Sequence, residues 1–388
     1  YVYLLARAAL GERAVRLMEA ARLLGAPLAR RVREVALPMA RPAVAAGTAL
    51  ALMEVLADYG VGSYFGLTTF STGIYKAWLV MNDRNAAAQL ASVLLLVVAA
   101  VLAAERAAQR RLRWAAGRGG APDAADARRV VLSGWTARAA TALCALPVLL
   151  GFVLPVVWLL RLLWLEARYS EFGLPLERFV QWSATSLYLA ASAALAATLL
   201  AWALGYALRA RQGRVLSLAA RTLALGYAVP GAVIAVGILI PIGWLQERFP
   251  AAGFGALVSG TVGGLLAAYL VRVSAVAMQS VESGYARVAP SVDESAQLLG
   301  ARPWRVLLAL HLPLLRSSLL AAMLLVFVDV MKELPATLVL RPFGSDTLAV
   351  VAYNFARDER LAEAALPSLA MVVVGLLPVL LLSRAMRR

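Results

Sequence analysis

The amino-acid sequence predicts an all-α fold, a polytopic bundle of transmembrane helices, and three observations lead to that prediction. Hydrophobic residues make up 62% of the 388 residues and charged residues 15%, whereas soluble domains have about 45–50% and about 25%. The mean hydropathy is +0.76. The apolar residues are gathered into eight runs, each close to the length of about 20 residues that a helix needs to cross a bilayer.

The eight apolar runs alternate with loops of two kinds. Arginine-rich loops hold most of the positive charge behind the net charge of +16. Since cytoplasmic loops of membrane proteins are enriched in Arg and Lys, we predict that the arginine-rich loops are cytoplasmic. These loops are 7–41, 105–138, 209–221, 280–316 and 384–388. The predicted spans are 42–60, 86–104, 140–165, 183–208, 222–243, 258–279, 317–337 and 365–383.

An internal repeat lies in two of the arginine-rich loops. "EAARLLGAPLARRVREVALP" begins at Glu19, and "ESAQLLGARPWRVLLALHLP" begins 275 positions later at Glu294. Ten of the 23 positions from Glu19 to Arg41 match their counterparts, far more than accident supplies, so the similarity indicates a duplicated functional element. The matched residues that define the repeat are Glu19, Ala21, Gly25, Leu37 and Pro38 in the first copy, and Glu294, Ala296, Gly300, Leu312 and Pro313 in the second.

The spacing within each copy predicts two short helices joined at an angle. Gly25 and Gly300 can adopt the left-handed conformation that ends a helix and turns the chain. Pro27 and Pro303 suit the first turn of a second helix. We predict that this second helix ends near the Leu-Pro pair of each copy and that a membrane span then begins.

Two pairs of acidic residues recur at the same distance behind the repeats. Glu54 and Asp58 lie 275 positions before Asp329 and Glu333, and the i, i+4 spacing predicts that each pair shares one helix face. Carboxylates at membrane depth usually face a bundle interior or a wet cavity, so they could line a central path, with Lys332 neutralising part of the charge. The alternative is that acids near the ends of spans reach headgroups or cap the following turn.

The predicted span 222–243 contains helix-breaking residues. Its segment "YAVPGAV" begins at Tyr227 and includes Pro230. Broken membrane helices often line the substrate path of transporters, so both residues are candidates for such a path. The alternative is a kink that lets small residues pack closely.

Several functions are excluded by what the sequence lacks. It has no G-x-x-x-x-G-K-[ST] phosphate-binding loop, so the chain is not itself an ATPase. One cysteine and one histidine, His311 in a predicted basic loop, cannot build a metal cluster or a Cys/His nucleophile. We therefore predict no catalytic residue, no metal and no bound cofactor. The arginine-rich loops lack interleaved aromatic residues, so nucleic-acid binding is not predicted.

The repeat resembles the EAA loop of binding-protein-dependent ABC importer permeases. The pattern E-x-A-x3-G-x11-L-P occurs twice, each time before a penultimate span, and the flanks 52–83 and 326–369 look like those of fused ferric-iron permeases. The resemblance implies the type I ABC importer permease fold in the bacterial inner membrane. It also implies two cytoplasmic ATPase subunits that bind ATP and Mg and dock on the EAA loops, a periplasmic substrate-binding protein, and ferric iron as cargo.

Other cargoes and another class of transporter stay open at this point. Related permeases carry thiamine, polyamines or anions, and an ion-driven secondary transporter would leave the duplicated loop without a partner. A purely structural membrane scaffold would leave the paired acids unexplained. For the domains, we predict the last part of a first module at 1–104, whose opening helices lie upstream, a cytoplasmic linker at 105–138, and a complete second module of six spans at 139–388.

Overall fold

A computed structural model describes residues 2, 3, 6, 10, 15–115, 132–170, 173–210, 213–259 and 261–385. Every regular element within these ranges is helical. Eight of the described helices are long and apolar enough to cross a membrane. The predicted all-α membrane bundle is therefore confirmed.

The helices are numbered here in chain order. They are α1 (Val15–Leu23), α2 (Leu28–Ala57), α3 (Gly60–Tyr64), α4 (Phe70–Tyr75), α5 (Arg84–Ala115), α6 (Gly134–Tyr169), α7 (Leu176–Ala210), α8 (Arg214–Leu225), α9 (Gly231–Arg248), α10 (Phe254–Ser259), α11 (Val262–Tyr285), α12 (Pro290–Leu298), α13 (Pro303–Met331), α14 (Pro335–Leu340), α15 (Leu348–Arg357) and α16 (Leu361–Ala385).

The described chain packs into two compact units. The first consists of residues 1–58 and 92–152, and the second of residues 59–91 and 153–388. The segment 59–91, which the sequence assigns to the first module, thus packs with the second module's helices. The predicted linker 105–138 begins inside α5, which continues to Ala115, and its residues 116–131 lie outside the described ranges.

Two details of the predicted spans are wrong. The second helix of each repeat does not end at the Leu-Pro pair: α2 runs unbroken from Leu28 to Ala57 and α13 from Pro303 to Met331. The break predicted within 222–243 instead separates two helices, because α8 ends at Leu225 and the membrane span α9 begins at Gly231.

A change of helix type explains how the helix passes through each proline. The residues before the Leu-Pro pairs form π-helical turns, Val32–Ala36 in α2 and Val306–His311 in α13. Proline has no N–H to donate and its ring clashes with the carbonyl four residues earlier. A wider π turn immediately before the proline accommodates both defects, so the helix continues where the sequence predicted an end.

Small residues let the long helices of the second unit pack closely. Five of the ten buried residues of α7 are alanines. A β-carbon on Gly205 of α7 would lie 2.9 Å from the ring of Tyr285 on α11, and one on Gly284 would lie 2.7 Å from the Ser318 hydroxyl on α13. Membrane helices associate through such close packing. The helices α7, α11 and α13 therefore form a tight base next to the second repeat.

Candidate functional site

The two repeats fold as two hairpins, the first hairpin at residues 15–38 and the second hairpin at residues 290–313. In each, a glycine in the left-handed conformation makes the turn, with φ of +78° at Gly25 and +74° at Gly300. The following N–H of Ala26 or Ala301 donates to the carbonyl five residues earlier, at 3.0 Å in both hairpins. This is the Schellman pattern that ends helices, so the predicted role of both glycines in turning the chain is confirmed.

The two hairpins repeat their solvent exposure residue for residue. From Glu19 to Arg30 and from Glu294 to Arg305 the sequence of exposed and half-buried positions is the same. Both motif glutamates are exposed, and the motif alanines two residues later are half-buried. The tips carry two adjacent leucines each, and the exposed fractions of Leu23, Leu24, Leu298 and Leu299 are 90%, 87%, 89% and 87%. Each hairpin thus presents a pair of unburied leucines beside an exposed carboxylate.

Residues outside the matched positions anchor the second hairpin to the helices behind it. Asp293 on α12 pairs with Arg209 at the end of α7. Its other carboxylate oxygen lies 2.6 Å from Nε2 of His311. Arg209 also donates to the carbonyls of Val288 and Ala289, each at 2.9 Å, just before α12 begins. One carboxylate therefore links the start of α12 to both α7 and α13.

His311 is buried in the helical base, which contradicts the prediction that it lies in a basic loop. Its side chain has no solvent exposure and sits between the rings of Tyr206 and Tyr285, with centroid separations of 5.4 and 5.3 Å. Repeat matching missed this residue and Asp293, because neither is conserved between the two copies. The signal in the sequence was the reverse one, an aspartate and a histidine that occur at only one copy of the repeat.

The first hairpin has apolar residues where the second has this carboxylate and imidazole. Met18 and Ala36 occupy the positions of Asp293 and His311. The ion pair described within the first hairpin, Arg30 to Glu34 at 3.0 Å, is on the surface, with side chains 66% and 58% exposed.

The paired acids do not share helix faces as predicted. Asp58 follows the last residue of α2 with extended backbone angles, and Glu333 lies beyond the end of α13 at Met331. Glu54 is half-buried in the last turn of α2. Because each helix ends between its two acids, the i, i+4 geometry does not apply. Lys332 pairs with Asp329 at 3.2 Å, so it neutralises part of the charge of these acids, as predicted.

Glu333 is held by protein groups on every side of its carboxylate. It accepts hydrogen bonds from the backbone N–H groups of Ala336 and Thr337, each at 3.0 Å, and from the Thr337 hydroxyl at 2.7 Å. Arg272 on α11 approaches the same carboxylate at 3.3 Å. Glu333 is only 4% exposed. Glu333 thus caps the first turn of α14, which is the alternative given above for acids near the ends of spans. That the four acids line a path stays a prediction.

The break between α8 and α9 places backbone directly against α11. A β-carbon on Gly226 would lie 1.8 Å from the carbonyl oxygen of Val271, and one on Gly231 would lie 2.6 Å from a carboxylate oxygen of Glu333. Tyr227 is half-buried in a short 3-10 turn, and Pro230 is buried at the start of α9. The glycines are required here for close packing, and the roles of Tyr227 and Pro230 in a path stay predictions.

Comparison with known proteins gives the family. The profile of the family described as "Binding-protein-dependent transport system inner membrane component" matches residues 1–114 and 197–388, which include both hairpins. PhnV of Salmonella typhimurium, whose assignment to a 2-aminoethylphosphonate transport system is itself provisional, is 31% identical over 163 residues, 42% of this chain and 57% of PhnV. The Fe(3+)-transport system permease protein FbpB 2 of Haemophilus influenzae is 23% identical over 356 residues, 89% of this chain and 66% of FbpB 2.

The chain covers less than two thirds of the length of either relative. One similar solved structure is a bacterial alginate ABC transporter in complex with an alginate pentasaccharide-bound periplasmic protein. The superposition covers 64% of this chain and 92% of a chain of that transporter, with a TM-score of 0.48 and 13% sequence identity. That score is too low to carry an argument. The family profile spans well over half of the chain, and the chain belongs to the family of binding-protein-dependent transport system inner membrane components.

Proposed function

We propose that this chain is the permease of an ATP-driven importer and that its two hairpins dock onto two cytoplasmic ATPase subunits. One observation carries the proposal: two hairpins of identical exposure pattern each present two leucines that are at least 87% exposed. Exposed apolar groups at a rigid tip are expensive unless a partner covers them. Two matching tips fit two copies of one partner. The predicted docking residues of both motifs therefore keep that role in the proposal.

The continuous helices behind the hairpins explain how a partner's movement could reach the membrane. α13 contains 29 residues, so it extends about 40 Å from the second hairpin toward α14. The Leu-Pro pairs that were expected to break these helices do not interrupt them. A displacement of either tip would therefore move a whole membrane span. ATP and Mg would be bound by the ATPase subunits, and this chain would supply no catalytic group.

The distribution of arginine supports the proposed orientation. Both hairpins lie in arginine-rich segments, and such segments stay on the cytoplasmic side of the bacterial inner membrane. The opposite loops would then face a periplasmic binding protein. Between α14 and α15, Phe343 is fully exposed beside a turn closed by an ion pair between Arg341 and Asp346. Burial lowers the pKa of Arg341. Phe343 is our proposed contact for the binding protein.

Ferric iron is the cargo that we propose first. The ferric permease FbpB 2 aligns with 89% of this chain. The phosphonate permease PhnV is more similar, at 31% identity, but aligns with only 42%. An alignment over most of the chain supports ferric iron, whereas the higher identity makes an organophosphonate the second candidate. The proposed path residues Glu54, Asp58, Tyr227, Pro230 and Asp329 could face either cargo, and the carboxylate of Glu333 is already engaged by protein groups.

Reconstitution would test the function directly. The full permease would be placed in proteoliposomes with its ATPase and binding protein, and ATP hydrolysis and uptake followed with ferric iron or 2-aminoethylphosphonate. We expect uptake that requires ATP and the loaded binding protein, with iron as the accepted cargo. Acceptance of the phosphonate alone would change the cargo and keep the importer. Uptake that ignores ATP would contradict the importer and favour an ion-driven carrier.

A further inference from the structure

Three hydroxyl groups meet where two short segments of the second unit come together. The Tyr353 hydroxyl on α15 lies 2.9 Å from the Tyr59 hydroxyl and 2.8 Å from Oγ of Ser63 on α3. Tyr353 is 8% exposed. The contact joins parts of the chain about 290 residues apart, one from each predicted module. It is a specific contact between segments that are distant in the sequence.

A third tyrosine lies directly behind this contact, and its hydroxyl lacks a hydrogen-bond partner. The ring of Tyr75 is 4.0 Å from the ring of Tyr59, and Tyr75 is 3% exposed. Among the described residues, none hydrogen-bonds to its hydroxyl. A buried hydroxyl without a hydrogen-bond partner destabilises the fold, because it has lost water and gained no replacement. Such a cost is tolerated where the group serves another state of the protein or a ligand.

Tyr75 and Tyr353 occupy corresponding positions in two similar helices. Thr69 precedes α4 and Thr347 precedes α15, and each threonine side chain accepts a hydrogen bond from the backbone N–H three residues later. Each tyrosine lies six residues after its threonine. Tyr59 contacts both rings. The cluster therefore sits between two equivalent structural elements, as a constriction shared by two modules would.

Within the second unit, the cluster also lies near the end of α13 that is opposite the second hairpin. Tyr59 follows the end of α2, and the cluster's charged neighbours, Arg272 and Glu333, lie beside and beyond α13. Burial and the hydrogen bond to Tyr353 raise the pKa of Tyr59 to about 12. Burial first, and then the charge of Glu333, raise the pKa of Tyr75. Both phenols are therefore protonated near neutral pH and act as hydrogen-bond donors rather than as anionic metal ligands.

We propose that Tyr59, Ser63 and Tyr353 form the constriction that closes the transport path at the end away from the second hairpin, and that Tyr75 donates a hydrogen bond to an oxyanion group of the cargo when the constriction opens. The proposal rests on the importer function proposed above. The oxyanion group could belong to a free organophosphonate or to the ligands of a ferric complex. In both cases the shared chemistry is an anionic oxygen acceptor next to neutral hydroxyl donors and the guanidinium of Arg272.

Removing the hydroxyl of Tyr353 tests the constriction. Tyr353→Phe deletes both hydrogen bonds and Ser63→Ala deletes one. With proteoliposomes loaded with inorganic phosphate and no ATP, we expect efflux to rise about tenfold for Tyr353→Phe and about threefold for Ser63→Ala, since each bond contributes about threefold. Tyr64→Phe is the matched control, because Tyr64 lies on the same helix and is 42% exposed. Efflux equal to that of this control in both variants would overturn the constriction.

Tyr75→Phe tests the contact with cargo. We expect the number of cargo molecules imported per ATP hydrolysed to fall about tenfold, the value of a hydrogen bond to a charged acceptor, while phosphate efflux is unchanged. A purely structural Tyr75 would leave this ratio unaltered. Assays with 2-aminoethylphosphonate and with ferric iron distinguish the two sources of the oxyanion, and a change with neither cargo overturns the cargo contact.

These readouts separate the constriction from the function on which it rests. If the unmodified permease shows no ATP-dependent uptake, the importer function fails, whereas the efflux comparison still reports on the hydroxyl contact. If uptake is normal and Tyr353→Phe behaves like Tyr64→Phe, only the constriction fails. Should Tyr353→Phe not elute as folded protein, Ser63→Ala decides, because its replacement leaves the bond between Tyr59 and Tyr353 in place.

Discussion

The two hairpins are alike at their tips, around Gly25 and Gly300, and different at their roots, the positions of Met18 and Asp293 where each hairpin joins the rest of the chain. Gly25 and Gly300 have nearly the same φ, and the exposure pattern around them is the same. Behind the tips, Asp293 ties the second hairpin to two membrane helices, whereas the first hairpin has Met18 at that position. The tip is what a repeated partner would recognise, so it is repeated. The root is fitted to the helices behind it, which differ between the two copies.

This difference suggests unequal mechanical coupling. A carboxylate bridging an arginine and a buried histidine fixes the distance and orientation of α12 relative to its base. An apolar contact at the same position allows small rotations and shifts. If both tips bind equivalent partners, the second hairpin should therefore transmit motion more stiffly than the first. The following predictions test whether the tips are equivalent and the roots are not.

Proline at the turn of either hairpin should have the largest effect. Gly25→Pro and Gly300→Pro require a negative φ where the chain has +78° and +74°, which proline cannot meet. The helix end and the tip geometry would be lost, so we expect ATP-dependent uptake to be abolished in both variants. Proteoliposome uptake provides the measurement.

Gly237→Ala is the control for these variants, since a β-carbon at Gly237 would meet no atom within 4 Å. It should retain uptake. If one turn tolerated proline and the other did not, the two tips would not be functionally equivalent. The hairpins would then differ at their tips as well as at their roots.

Loss of the root carboxylate should come next. Asp293→Asn leaves Arg209 without its ionic partner in a site where their side chains are 18% and 16% exposed. Breaking a largely buried pair costs about 3 kcal/mol, so we expect the melting temperature in detergent to fall by about 5–10 °C. Met18→Asn in the first hairpin should change it little. Equal shifts for the two variants would remove the proposed asymmetry of the roots.

Glu294→Gln controls for charge alone, because Glu294 neighbours Asp293 but its side chain is exposed. We expect no measurable change in melting temperature, as is usual for surface substitutions. A shift as large as that of Asp293→Asn would mean that the net charge of α12, rather than the bridge to Arg209 and His311, stabilises the root.

The repeat predicted the tips and left the roots unpredicted, for a physical reason. A glycine with positive φ is a local requirement, so its spacing from neighbouring helical residues is visible in the chain. The bridge through Asp293 depends on Arg209 from another helix, and no local pattern contains that information. The membrane spans were predictable in number because apolar length is local as well. A break within 222–243 was predicted as well, but the contact that requires Gly226 was not, since it involves the backbone of Val271, 45 positions later.

The Leu-Pro pairs show the opposite failure, where a local rule was applied too strongly. Proline predicted helix ends at Pro38 and Pro313, but a π turn before each proline keeps the helix continuous. The energetic cost of proline is thereby spread over a wider turn, which a rule based on residue type cannot anticipate. Residue type also failed to predict the surroundings of Glu333. Its four hydrogen-bond donors include backbone groups of α14, a short helix that the apolar pattern did not reveal.

A smaller effect is expected from the tip leucines. Leu24→Ser and Leu299→Ser replace side chains that are 87% exposed, so the stability of the permease should not change. A docked partner that buries such a leucine would gain about 1.5 kcal/mol or more. We therefore expect each variant to weaken ATPase binding by about tenfold, measured as the dissociation constant of the detergent-solubilised complex. A loss at only one tip would show that only one hairpin docks.

The smallest effect should come from the ion pair on the surface of the first hairpin. Glu34→Gln breaks a contact between side chains that are 66% and 58% exposed. Solvent and salt screen such pairs, so we expect a loss of less than about 0.5 kcal/mol and a melting temperature within error of the parent. The charge pair of the first hairpin then contributes almost nothing, while the pair of the second holds its root. A large loss for Glu34→Gln would mean that the first hairpin has an electrostatic anchor of its own, and the two roots would differ in design rather than in stiffness.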